Sequence, residues 1–267
     1  MYKTQPFFSQ KIWGHEEWVV SAMPEGECTV SGEPLSSLTG ADFPLLVKVI
    51  QADETLSVQV HPDDSYAAAH SGVQGKTECW YILDAKQGAK LICGLNRKYS
   101  ADELRRALHE GNIAGCLRCI SVRTGDFIYI PAGTVHAICG GLRLLEVQQP
   151  SDTTFRLYDW GRGRETHIEE SLAVIRHGTQ ALIDAPFCGT FSCKHFTLQK
   201  KEYMAAAELS FLKESIWNAA FVISGSADFV SSTKRIAAAT GDTLLVRQGE
   251  SVKIEPHGSV VLMQISQ

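Results

Sequence analysis

The segment Gly125-Asp126-Phe127-Ile128-Tyr129-Ile130-Pro131-Ala132-Gly133 aligns without gaps on Gly241-Asp242-Thr243-Leu244-Leu245-Val246-Arg247-Gln248-Gly249. A Gly-Asp pair followed by a mostly apolar run reads as a turn that feeds a strand, so the repeat predicts two similar β units in one chain. Continuing the register sets Val252 opposite His136. Aligning Tyr81-Ile82-Leu83 with Phe221-Val222-Ile223 likewise sets Asn218 opposite Glu78. The simplest architecture is a mainly β chain of two related jelly-roll-like barrels, of which only the first keeps metal-binding side chains.

The first copy carries the chemistry. From Thr55 to His61 polar and apolar residues alternate, the period of a strand with one polar face, so Gln59 and His61 point the same way. A second strand run, Glu78-Cys79-Trp80-Tyr81-Ile82-Leu83, opens with a carboxylate, and Phe127-Ile128-Tyr129-Ile130 leads through Pro-Ala-Gly to His136. Two imidazoles, a carboxylate and an amide oxygen make a four-ligand set suited to zinc or another first-row divalent ion, with room left for substrate. Each residue alone has a plainer reading, since a single strand histidine is most often a core or surface residue. The combination carries the metal reading. Lys48, inside the apolar run Phe43 to Ile50, reads equally as a wall of the same pocket or as an edge residue reaching water.

Composition narrows the partners. A formal net charge of -5 with no dominant basic segment argues against nucleic acid. The N-terminal residues lack the apolar core of a signal peptide, and no run is long enough to span a bilayer, which predicts a cytoplasmic protein with no membrane partner. The eight cysteines are then expected as thiols. Cys116-Leu117-Arg118-Cys119 lacks the second ligand pair that structural zinc requires. Peripheral helices are predicted after Asp63 or Asp64, after the capping box Ser100-Ala101-Asp102-Glu103, and after a similar signature at Thr166-His167-Ile168-Glu169. A metal-binding domain is expected over residues 1–180 and a smaller jelly roll lacking the ligands over 181–267, with the boundary between Thr179 and Cys188.

Together, Lys11-Ile12-Trp13-Gly14, Pro44 to Asp63, Gly75 to Glu78, Pro131 to His136 and Leu145 to Arg156 resemble the type I mannose-6-phosphate isomerase family, whose catalytic domain is a cupin barrel. The C-terminal part is similar to the second jelly roll of short bacterial members. The resemblance implies one zinc ion per chain held by Gln59, His61, Glu78 and His136. It also implies a catalytic Arg156, and Ser57, Lys48, Lys76, Glu146 and Asp152 lining a sugar-phosphate pocket. The implied reaction interconverts mannose 6-phosphate and fructose 6-phosphate through an enediol. Its proton-transfer base stays open between Glu146 and Asp152, each of which also reads as an orienting partner. Gly75 stands where longer members commonly carry a histidine, so a proton-transfer role for that histidine does not carry over. Two competing classes are an iron dioxygenase and a non-catalytic sugar-phosphate sensor. Gln59-x-His61 in place of His-x-His weighs against the dioxygenase.

Overall fold

The computed structural model describes residues 1–176, 181–212 and 215–267. The boundary expected near Thr179 touches residues 177–180, which lie outside the described residues. The chain packs as two compact units. One comprises Met1–Ser9, Glu17–Lys48 and Cys188–Gln267, and the other Gln10–Glu16 and Val49–Phe187. The fold is mainly β, as the short alternating runs predict. No helix among the described residues is long and apolar enough to cross a membrane.

Within the central unit, strands Leu117–Ser121, Lys90–Leu95, His136–Ile138, Val58–Val60 and Phe155–Tyr158 form a five-stranded sheet in that order. Leu182–Asp184, Phe127–Ile130, Glu78–Ala85 and Leu142–Gln148 follow one another in a second sheet. Neither order returns to its first strand, so the expected barrel is realised as open sheets. Leu91, Cys93 and Ile138 from the first sheet pack with Trp80, Ile82, Ile128 and Leu144 from the second, placing an apolar core between them. The opposite face of the five-stranded sheet buries Val58, Val60, Val135 and Leu157 against Leu104 and Val174. These last two lie on helices Ala101–His109 and Ile168–Val174.

Helix ends follow local chemistry in two places and depart from it in one. Ser100 and Glu103 form the reciprocal capping box, each side chain bonding the other's backbone N–H. Asp63 Oδ1 accepts from the Tyr66 N–H at 2.8 Å and starts the helix Asp64–Ala69. The box expected from Thr166 is not formed. That helix begins at Ile168, with His167 at the N-cap and no side-chain cap bond. His167 is held instead by the neighbouring strand: its N–H donates to the Arg156 carbonyl, and its Nδ1 accepts from the Arg156 N–H.

The internal repeat is present bond for bond. Gly125 and Gly241 have φ of +95° and +93°, the left-handed region that glycine tolerates. The Gly125 N–H donates to the Ile82 carbonyl, and the Gly241 N–H to that of Val222. Asp126 Oδ2 accepts from the Arg123 N–H and Asp242 Oδ2 from the Ala239 N–H, both at 2.8 Å. In the terminal unit Val252 is buried in an apolar cluster with Val222, Leu244 and Val260. There the long strands Trp217–Val230 and Lys253–Ser266 shift register beside Gly225, where a Cβ would stand 2.0 Å from the Ser259 carbonyl oxygen.

Candidate metal centre

Strand register assembles the site. In the five-stranded sheet His136 lies opposite Cys93 on one side and Gln59 on the other, and Gln59 lies opposite Arg156. Residues directly opposite in antiparallel strands share a face, so His136, Gln59 and Arg156 form a row pointing the same way. His61 follows the Gln59 strand. The other sheet contributes Glu78, opposite Ile130 on one side and Gln148 on the other. One ligand atom from each of His61, Glu78 and His136 lies within 4.8 Å of the others, and all three residues are buried.

The two imidazoles are held in one tautomer. His136 Nδ1 is 2.9 Å from the Thr134 carbonyl and His61 Nδ1 is 3.0 Å from that of Thr153. A carbonyl can only accept, so each Nδ1 carries the proton and each Nε2 presents a lone pair. Burial lowers the pKa of both histidines, that of His61 to about 3, with the positive Lys76 adding to the effect. Burial opposes ionisation of Glu78 as well, but the positive Lys76 holds its carboxyl well below the usual range. Lys76 Nζ sits 3.1 Å from Glu78 Oε2.

Neutral imidazole lone pairs therefore face an ionised carboxylate, His61 Nε2 at 3.4 Å and His136 Nε2 at 3.2 Å from its oxygens. Acceptors this close repel unless a cation lies between them. His61 Nε2 and Glu78 Oε1 are buried without a hydrogen-bond partner, a costly arrangement that a divalent ion relieves. The Gln59 side-chain nitrogen is 3.2 Å from His136 Nε2, and a half-turn of the amide would offer its oxygen in that place. These donors fit a first-row divalent metal with no proton left to displace.

The remaining expected residues separate into two groups. Ser57 and Lys76 are buried, and Glu146 is buried with its Oε2 accepting from Trp80 Nε1 at 2.9 Å. Trp80 in turn meets the His136 ring edge-to-face at 5.4 Å between centroids. Lys48 is buried in its own unit, with Nζ 4.8 Å from the Trp18 ring centroid. Asp152 is exposed. Arg156 is half-buried: its Nη1 donates to the Glu165 carbonyl at 2.6 Å, and its Nε is buried without a partner.

Sequence reading passed over a group beside Arg156. Asp159, 3% exposed, accepts from Arg162 Nη2 at 2.9 Å and from Arg164 Nε at 2.8 Å. Arg162 Nη1 also donates to the Thr55 carbonyl at 2.9 Å. Burial lowers the Arg156 pKa, and the charges of Arg164 and Arg162 add to it. The visible signal was the Arg162-Gly163-Arg164 run after Asp159, which alone reads as a solvated turn.

Residues 14–88 match the family model described as phosphomannose isomerase type I, catalytic domain. The mannose-6-phosphate isomerase ManA of Bacillus subtilis is 33% identical over 310 residues, covering 98% of both chains. The crystal structure of the mannose 6-phosphate isomerase from Bacillus subtilis superposes with a TM-score of 0.89 at 31% identity, over 100% of this chain and 99% of that one. A mannose 6-phosphate isomerase bound with zinc and yttrium shares the fold with a TM-score of 0.69 at 14% identity, covering 98% of each chain.

Proposed function

Because the chain belongs to the type I mannose-6-phosphate isomerase family, we propose that it interconverts mannose 6-phosphate and fructose 6-phosphate at the His61, Glu78 and His136 centre. The observation that carries this reading is the buried set of lone-pair atoms, the His61 and His136 Nε2 and the Glu78 carboxylate, facing one another in a chain related to that family over nearly its whole length. The ion is zinc, in keeping with two imidazoles and a carboxylate, and Gln59 is its fourth protein ligand. When bound, it supplies Lewis acidity to the carbonyl and hydroxyl oxygens of the sugar. The setting is the cytoplasm, whose reducing poise suits Cys28, Cys93, Cys116, Cys119 and Cys139 as thiols.

The chain's own residues have distinct tasks. Conversion of the aldose removes the proton on C2 and delivers one to C1, while the hydroxyl proton on O2 is lost and O1 gains one. Arg156, in register with Gln59 and with Nε unengaged, stabilises the oxyanion charge that builds between these steps. Arg162 and Arg164, fixed by Asp159, add positive charge for the phosphate dianion, and Ser57 and Lys76 meet the sugar. Of the two carboxylates open to the proton-transfer role, Glu146 fits better: it is buried, whereas Asp152 is exposed.

The test is a coupled assay for fructose 6-phosphate formed from mannose 6-phosphate by metal-loaded and metal-stripped protein. Turnover that disappears with the metal and returns with zinc is expected. Folded, zinc-loaded protein that binds the sugar phosphate without turnover would identify a sensor, and oxygen uptake without isomerisation would identify a dioxygenase.

A further inference from the structure

Residues 149–154, between the strands Leu142–Gln148 and Phe155–Tyr158, form neither helix nor strand. Their backbone groups have no ladder to pair with, so side chains must hold them. Yet the Thr153 carbonyl in this segment, 3.0 Å from His61 Nδ1, sets the tautomer of a metal ligand. A loop carbonyl can orient an imidazole only if the loop is itself fixed. The bonds that fix it start from Gln148, which is fully buried and stands opposite Glu78 in the sheet, on the same face. Gln148 Nε2 donates to the carbonyls of Gln149 at 2.8 Å and Ser151 at 2.7 Å. Both partners can only accept, so the amide nitrogen faces them and the flipped amide is excluded.

Ser151, also buried, passes this hold to Thr153. Its Oγ accepts from the Thr153 N–H at 3.2 Å and donates to the Gln74 carbonyl at 3.3 Å, and the Gln74 N–H donates back to Thr153 Oγ1 at 3.2 Å. The Gln149 side chain accepts from the Thr77 N–H at 2.9 Å, one residue before Glu78. Gln148 Oε1, by contrast, is buried without a hydrogen-bond partner. An apolar residue at this core position would spare the fold that cost, so packing does not account for the glutamine. His136 takes its partner from a different segment, the Thr134 carbonyl, and supplies an internal control.

We propose that Gln148, acting through Ser151, is a positioning residue for His61: its carboxamide fixes the loop whose Thr153 carbonyl keeps the proton on Nδ1 and leaves Nε2 for the metal. The inference rests on the metal centre of the proposed isomerase, so its readouts are metal affinity and tautomer, not turnover. The full-length, zinc-loaded protein is titrated with a chromophoric chelator, and the imidazole nitrogen resonances of His61 and His136 are then recorded after zinc is removed. In the wild type both rings should carry the proton on Nδ1. Gln148→Met and Ser151→Ala should each raise the zinc Kd about tenfold or more, the usual effect of losing a partner that orients a ligand. In both variants His61 should populate the form protonated on Nε2 while His136 keeps its tautomer. If Gln148→Met misfolds, Ser151→Ala carries the same comparison. A His61 tautomer and zinc Kd unchanged in the variants, or His61 and His136 changing together, overturns the positioning role and leaves the isomerase reading to its own coupled assay. Wild-type protein that holds no zinc would remove the metal centre and this proposal with it.

Discussion

Glu78 and Asn218 hold the same position in two copies of one structural element. Each pairs with the strand that follows a Gly-Asp turn, Glu78 opposite Ile130 and Asn218 opposite Val246, and these partners are equivalent in the repeat. Asn218 Nδ2 donates to the Ser215 carbonyl at 3.2 Å, closing its local hydrogen bonding, whereas Glu78 Oε1 has no donor and Glu78 Oε2 meets the Lys76 ammonium at 3.1 Å. One copy thus places a neutral, locally bonded amide where the other places an anion.

That difference predicts one metal ion per chain. His136→Ala should abolish stoichiometric metal and turnover, and Asn218→Ala should leave metal content unchanged. Elemental analysis with a parallel assay checks both, and two equivalents surviving His136→Ala would contradict the assignment.

Arg156→Lys should lower kcat by about a hundredfold or more, about 3 kcal/mol of transition-state stabilisation, because lysine offers a point charge without the planar fork. The affinity for substrate should change less. A folded, metal-loaded variant with near-normal kcat and raised KM would move Arg156 from the reacting oxygens to the phosphate.

Asp159 is a positioning residue for two guanidinium groups, and Asp159→Asn should raise KM for the sugar phosphate more than it lowers kcat. Loss of its charged hydrogen bonds costs about 1.5–3 kcal/mol at neutral pH. Hydrogen bonding to Arg164 holds its carboxyl below the usual 3.8, so the unfolded chain binds the proton first on acidification. The stabilisation is therefore complete above the unfolded-state pKa and fades as pH falls through the lower folded-state one. Denaturant unfolding of wild type and variant should show a constant gap above pH 5 that narrows in this acid window; a gap independent of pH would show that charge is not its source.

The CxxC pair predicts an absence of effect. Cys116 is buried and Cys119 exposed, and neither belongs to the His61, Glu78 and His136 cluster. Cys116→Ser with Cys119→Ser should leave zinc content and turnover intact. In the native protein at pH 8, iodoacetamide should label Cys119. It should spare Cys28 and Cys93, whose thiols burial pushes up to about 11 and about 12. Loss of zinc without unfolding in the double variant would expose a second metal site.

The sequence by itself determined what is local or periodic. Alternation from Thr55 to His61, the carboxylate opening Glu78–Ala85 and the Pro-Ala-Gly turn before His136 singled out the three residues that the fold brings together, because side-chain direction along a strand has period 2. The gapless repeat named the partner element, since its hydrogen bonds lie within one turn and the strands beside it. Tertiary structure decided what depends on residues far apart. Nothing in the chain around Thr134 or Thr153 marks their carbonyls as the groups that fix the histidine tautomers; that role arises only when strands close on one another. The failed Thr166 box has the same origin, because Arg156 hydrogen-bonds His167 from an adjacent strand and sets where the helix begins. Asp159, Arg162 and Arg164 read as a polar turn until the fold buries the aspartate and brings both guanidiniums onto it beside Arg156. Burial is what gathers these ordinary polar residues into one hydrogen-bonded cluster, and it belongs to the packed sheets, not to any one segment of the chain.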